Sequence, residues 1–153
     1  MIRNRLALPV TACILLTLLL SGCSTSKKTI TKPPADTTDM KERRFRQEVV
    51  RYALQWIGTS YKYAGTEPRT GFDCSGFTRY VFKQFNISVS PASSAQSKEG
   101  TSVNLNAVQP GDILVFGKSP GNIQHVALVV ERTRSGIVVV HSTTSRGVIR
   151  ENV

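Results

Sequence analysis

Cys74 stands in the stretch Gly71-Phe-Asp-Cys-Ser-Gly-Phe77, between an aspartate and a serine, and of the side chains in this sequence it is the one best suited to attack a carbonyl carbon. The attacking species is the thiolate, and a free thiol with a pKa near about 8.5 is mostly protonated at neutral pH. If Asp73 caps a helix that starts at Cys74, the sulfur sits in the first turn, where unpaired backbone N–H groups and the positive end of the helix dipole favour the anion. A neighbouring imidazolium would lower the thiol pKa further. The Cys74 amide is also placed to hold the oxyanion that forms when a carbonyl is attacked. Asp73, Ser75 and Gly76 then read as residues that shape the substrate's approach, with Gly76 serving equally well as a helix-packing position.

Two histidines are present, and both sit at strand ends. His125 opens the apolar run His-Val-Ala-Leu-Val-Val, and His141 closes Ile-Val-Val-Val-His. The polar segment Glu131–Gly136 between them describes a hairpin turn. The two positions are roughly symmetric about residue 133, so in a regular register both imidazoles gather at one sheet edge and on one face. Cys74, His125 and His141 could instead bind zinc with an open position, but the close ligand spacing typical of zinc sites is absent. A buried structural cysteine is the other plain alternative, and the polar neighbours Asp73 and Ser75 argue against it. No metal and no other cofactor is expected.

The elements that must position these residues follow from the periodicity. Asp39 with Glu42 three residues later reads as a helix start, and Phe45, Val49, Ala53, Leu54 and Ile57 follow at helical spacing up to Gly58. A polar loop leads to Cys74, after which Phe77, Tyr80, Val81 and Phe85 mark a second amphipathic helix that stops near Asn86. Pro91–Gly100 reads as a short polar helix, and Ile113–Phe116, Val126–Val130 and Ile137–Val140 read as strands. Helices followed by strands predict an α+β domain, residues 39–153, with its helices packed on a mainly antiparallel sheet.

The N-terminus opens with Arg3 and Arg5, continues through an apolar run from Leu6 to Leu20 and closes on Leu20-Ser-Gly-Cys23. The run is short for about 30 Å of hydrocarbon and ends in small residues, which describes an export signal, residues 1–22. The closing Leu-Ser-Gly-Cys resembles a bacterial lipobox, which implies that Cys23 is acylated and becomes the mature N-terminus. Residues 23–38 read as a flexible linker reaching about 20 Å on average, so the domain is expected to work close to a membrane. Of the three cysteines, Cys13 leaves with the signal and Cys23 carries lipid, so Cys74 remains a free thiol in an oxidising compartment. The formal charge of +10 falls to +8 when Arg3 and Arg5 are removed. That sign suits anionic lipids or wall polymers. Nucleic acid is not an expected partner, since no basic motif with interleaved aromatics is present.

Taken together, Gly58-Thr-Ser-Tyr61-Lys-Tyr-Ala-Gly65, Gly71–Phe77, Pro110-Gly-Asp-Ile-Leu-Val-Phe116, His125-Val-Ala-Leu-Val and Val140-His141-Ser-Thr resemble, in order, the motifs of the NlpC family of papain-like cell-wall cysteine peptidases. The resemblance implies that Cys74 is the nucleophile, His125 the general base and His141 the residue that orients His125. It adds Tyr61 as a group beside the nucleophile, where the residues alone would allow a packed loop aromatic. It implies hydrolysis of peptidoglycan stem peptides between a γ-linked D-glutamate and a diamino acid, by a monomer tethered to the envelope, at the outer membrane in a diderm cell because Ser24 follows Cys23. A wall-binding protein without turnover and an acyltransferase using the same thiol are the competing functions. Ala92 stands where the family often has arginine, and the family's final strand is expected to be lacking after Arg146-Gly-Val-Ile149.

Overall fold

The computed structural model describes residues 37–153 and the backbone of Arg3 and Asn4. Apart from those two residues, the expected signal 1–22, the acylated Cys23 and most of the linker lie outside the described residues. Arg3–Asn4 (β1) pair antiparallel with Leu114 and Ile113 at the edge of the main sheet. The first helix, α1, spans Thr37–Leu54. It starts before the expected Asp39, inside the segment read as linker. Asp39 lies in the first turn, where its carboxylate faces the dipole and pairs with Arg43 at 3.0 Å. Gly58, at φ +91, closes the turns that follow.

A two-stranded ribbon, β2 (Thr66–Glu67) with β3 (Gly71–Phe72), leads into α2 (Cys74–Gln84). The helix stops where the sequence predicts, with Asn86 in the left-handed region at φ 57. A short α3 (Ser93–Gln96) and a 3₁₀ turn (Leu105–Ala107) precede the strands β4 (Ile113–Ser119), β5 (Asn122–Arg132), β6 (Ile137–Thr143) and β7 (Gly147–Asn152). The strands pair antiparallel in the order β1-β4-β5-β6-β7, so the expected α+β architecture is the one observed.

Both faces of the sheet are covered, which explains why its strands read as unbroken apolar runs rather than alternating ones. On one face Val49 and Ala53 of α1 and Phe77, Val81 and Phe82 of α2 pack on Ile113, Val115, Val126, Leu128, Val140 and Val148. On the other, Val108 and Leu105 cover Leu114, Ala127, Val129 and Val139. Arg46 of α1 reaches Asp112 at 3.0 Å with both side chains largely buried, tying the first helix to the turn before β4.

The C-terminal residues form the last strand of the sheet among the described residues, β7. Gly147–Asn152 pair with β6 along six registered positions, from Thr143↔Gly147 to Val138↔Asn152. The outer side of β7 is engaged as well: Gly58 N–H donates to the Val148 carbonyl and Val148 N–H to the Thr59 carbonyl, each at 2.8 Å. An open edge with unpaired backbone is therefore replaced at its start by the segment that follows α1.

Candidate active site

Asp73 is the N-cap of α2, with extended backbone (φ −87, ψ 178) and a carboxylate that accepts the Gly76 amide at 2.6 Å. The Ser75 hydroxyl donates to the same carboxylate at 3.1 Å, and Ser75 is 6% exposed. Ser75 therefore completes the cap, and its hydroxyl faces Asp73 rather than open space beside Cys74. Gly76 resolves to one of its two readings. A Cβ there would lie 2.0 Å from the Gly65 carbonyl oxygen, so the glycine lets the helix start press against the backbone of the preceding loop.

Two side chains far away in sequence fix this helix start. Ser142, the neighbour of His141, donates to the Phe72 carbonyl at 2.7 Å. Gln96, fully buried, donates to the Ser75 carbonyl at 3.0 Å and to the Ser90 carbonyl at 2.7 Å, and accepts from the Thr78 hydroxyl at 2.7 Å. Satisfied on both amide atoms, Gln96 holds α2 to the loop leading into α3 at no desolvation penalty. The sequence offered only a weak signal for it, a glutamine inside a polar segment. Ala92 is exposed at the N-cap of α3 and makes no side-chain cap bond.

Cys74 is the first residue of α2 and is partly buried. Burial pushes its thiol pKa up; the Val126 amide opposes this, Asp73 adds to it, and the Ser75 and Cys74 amides oppose it again. The expected depression is thus corrected: the helix amides act on the sulfur, but loss of solvent outweighs them. The Val126 contact also fixes the relation between helix and sheet, because Val126 follows His125 directly. Tyr61, bridged to Phe72 through backbone, has its phenol pKa raised by burial first and then by the charges of Asp73, Cys74 and Tyr63, so the hydroxyl stays protonated.

The two histidines meet: His125 Nε2 lies 2.7 Å from His141 Nδ1. They do so through an irregularity, where a regular register was expected. Next to the turn, Arg132 faces Ile137 and Glu131 faces Val138, whereas beyond it Val129 faces Val139 and Leu128 faces Val140, so Val130 is an extra residue on β5. Without this bulge His141 would lie opposite Leu128, and its side chain would leave the sheet on the face away from His125. With it, the register sets His141 opposite Ala127, and the two imidazoles share a face as diagonal neighbours. A bulge therefore brings the pair together rather than separating it.

Burial, followed by the charge of His141, pushes the His125 pKa down to about 4, with Glu151 opposing. His141 is 5% exposed, and burial lowers its pKa against the opposing hydrogen bond and charge of Glu151. Glu151 is the residue that sequence reasoning missed. Its Oε1 lies 2.8 Å from His141 Nε2, and its Oε2 accepts from Arg146 at 2.7 Å. The Arg146 bond is the main cause that holds the Glu151 carboxyl below its usual range. A partly buried thiol at a helix start, bonded to the amide that follows His125, a neutral imidazole pair and a phenol donor are the groups that nucleophilic attack on a carbonyl with general-base assistance requires.

Residues 58–153 match the model of the NlpC/P60 family. The chain is 40% identical over 107 residues to a gamma-DL-glutamyl hydrolase of Bacillus subtilis, covering 68% of this chain and 25% of that protein. It is 40% identical over 82 residues to a probable endopeptidase p60 of Listeria seeligeri (54% and 15%), and 33% identical over 85 residues to a gamma-D-glutamyl-L-lysine dipeptidyl-peptidase of Bacillus cereus (54% and 25%). It therefore spans a quarter or less of the length of these relatives. Among solved structures, the NlpC/p60 domain of the peptidoglycan hydrolase SagA superposes with a TM-score of 0.62 at 32% identity over 70% of this chain and 88% of that one. An NlpC/P60 family protein from Bacillus cereus superposes at 0.63 and 29% identity over 70% and 34%.

Proposed function

The chain belongs to the NlpC/P60 family, and from that premise we propose that it is a cysteine peptidase that hydrolyses peptidoglycan stem peptides at the bond between a γ-linked D-glutamate and a diamino acid. The observation that carries the reading is the Cys74 thiol at the start of α2, joined through the Val126 amide to the strand that presents the hydrogen-bonded His125–His141 pair. The names of the relatives support the substrate class, since they include hydrolases and peptidases of γ-glutamyl bonds.

The chemistry follows from the site. With the thiol pKa raised and the His125 pKa lowered, the resting pair is neutral, so the thiol proton moves to His125 as sulfur attacks the carbonyl carbon. Nε2 of His125 is engaged with His141, which leaves Nδ1 to take that proton. The Cys74 amide and the Tyr61 hydroxyl are the donors for the oxyanion. Collapse of the tetrahedral intermediate breaks the C–N bond, His125 returns its proton to the departing amine, and a thioester remains. Water, deprotonated by His125, then releases the acid and the thiol.

Incubating the purified protein with defined muropeptides and weighing the products tests this. Fragments ending in free D-glutamate are expected, and intact muropeptides would overturn it, while adducts with an added amine would mark a transferase. Run across pH, the same assay tests the neutral pair. Activity is present where His125 is unprotonated and is lost as pH falls through about 4, so kcat/KM is expected to hold well below the ordinary histidine value of 6.5. An acid limb at that ordinary value would instead indicate a different ionisation.

We further propose, from Leu20-Ser-Gly-Cys23, that lipid on Cys23 anchors the mature chain to the envelope, at the outer membrane in a diderm cell. Cys23→Ser is expected to move the protein out of the membrane fraction, and unchanged fractionation would count against the anchor.

A further inference from the structure

We propose that Glu151 is a positioning residue that sets the protons of the His125–His141 pair so that Nδ1 of His125 is left bare to receive the thiol proton. The proposal rests on the Cys74–His125 reading of the site and is independent of which peptide is cut.

Two neutral imidazoles joined nitrogen to nitrogen can order their protons in either of two directions. In one, His125 Nε2–H donates to His141 Nδ1, and the remaining proton of His141 sits on Nε2. In the other, His141 Nδ1–H donates to His125 Nε2, and the proton of His125 moves to Nδ1, where it blocks the base. Nothing in the pair itself chooses between them.

The carboxylate of Glu151 makes the choice. An ionised carboxylate accepts hydrogen bonds and donates none, so the contact of 2.8 Å to His141 Nε2 requires a proton on that nitrogen. His141 must then accept at Nδ1, and at 2.7 Å the donor is His125 Nε2. Arg146 keeps Glu151 an acceptor by donating to its second oxygen at 2.7 Å. The fold supplies both partners: Glu151 faces Val139 across β6 and β7, two residues from the Ile149 that faces His141, so it reaches the ring diagonally on the same face. Arg146 comes from the turn between those strands, where its amide donates to the Thr143 hydroxyl. With His141 only 5% exposed, bulk water has little access to take the place of the carboxylate.

Glu151→Gln tests the assignment, because the substitution keeps shape and removes only the charge and the double acceptor. The guanidinium of Arg146 claims the single amide oxygen, which turns the amide NH₂ toward His141 Nε2 and reverses the proton order. The expected signature, read by NMR of the isotope-labelled protein, is a shift of His141 from the Nε2–H to the Nδ1–H tautomer. Alkylation of Cys74 by iodoacetamide and kcat should fall together by about 10- to 100-fold, with KM within about twofold. Adding Arg146→Ala frees the amide oxygen to turn back, and should restore the Nε2–H tautomer and at least several-fold of the lost rate. Tautomer and alkylation readouts need no peptide, so they stand even if the proposed substrate is wrong. An unshifted tautomer in Glu151→Gln, or an equal loss of rate with no recovery in the double variant, overturns the proposal.

Discussion

Replacing Cys74 with alanine is expected to lower turnover of muropeptides by about 10⁴-fold or more with little change in thermal stability. On the proposed mechanism, the substitution deletes the group that forms the covalent intermediate. What remains, the proposed oxyanion donors and base, can at best direct water, which is the residual catalysis left when a nucleophile is removed from such a constellation. The fold should tolerate it, since Cys74 is only partly buried and opens a helix in which alanine is favourable. Product analysis beside a thermal melt separates the outcomes. Turnover within tenfold of wild type would mean that another group attacks the peptide, whereas loss of turnover accompanied by unfolding would leave the nucleophile unassigned.

Gly76→Ala is expected to destabilise the domain by about 3 kcal/mol, lowering Tm by roughly 10 °C, and to impair catalysis in whatever stays folded. Helix propensity alone predicts the opposite, a gain of about 1 kcal/mol for alanine over glycine in a helix. The new methyl, however, would stand 2.0 Å from the Gly65 carbonyl oxygen and 3.1 Å from the Asp73 carboxylate. The first of these neighbours is backbone, held in turn by the Asp73 amide at 3.1 Å, so it cannot swing aside as a flexible side chain would. Relief requires α2 to move away from the loop, and the cap, the sulfur and the oxyanion amide move with it. A Tm equal to or above that of wild type would show that the helix start is free to shift.

The parts of the site legible in the sequence are those built by local chemistry. Asp73, followed by a small pair and then Phe77 and Val81 at helical spacing, specifies a capped helix whose first residue is Cys74, because cap and periodicity are both encoded within a few positions. The apolar runs on either side of Glu131–Gly136 likewise specify a hairpin with His125 and His141 at its open end. The alignment of the two imidazoles was not legible. It depends on Val130 being left out of the ladder, which is a matter of how two covered faces pack and which no residue type announces. The thiol pKa was misjudged for a related reason: a helix N-terminus is visible in sequence, whereas the degree to which the sulfur is withdrawn from water is a property of the assembled layers. Glu151, Gln96 and Ser142 were missed because each acts across the fold on a partner remote in sequence, and each looks, in its own segment, like an ordinary polar residue. The start of α1 was placed late because Asp39 has the composition of a cap, although it sits in the first turn instead.

The hydrogen bonds between Gly58–Thr59 and Val148 join the segment after α1 to β7, and in sequence Tyr61, Cys74, His125 and His141 lie between them, with Glu151 three residues beyond. Their consequence concerns timing. The nucleophile segment is synthesised before the strand that carries Glu151, and the pairing that brings them together closes a long loop whose entropy must be met before most of the native contacts exist. A chain emerging from the ribosome therefore holds Cys74 for some time without the strands that carry His125, His141 and Glu151, so on the proposed mechanism the site is completed only when β7 has docked.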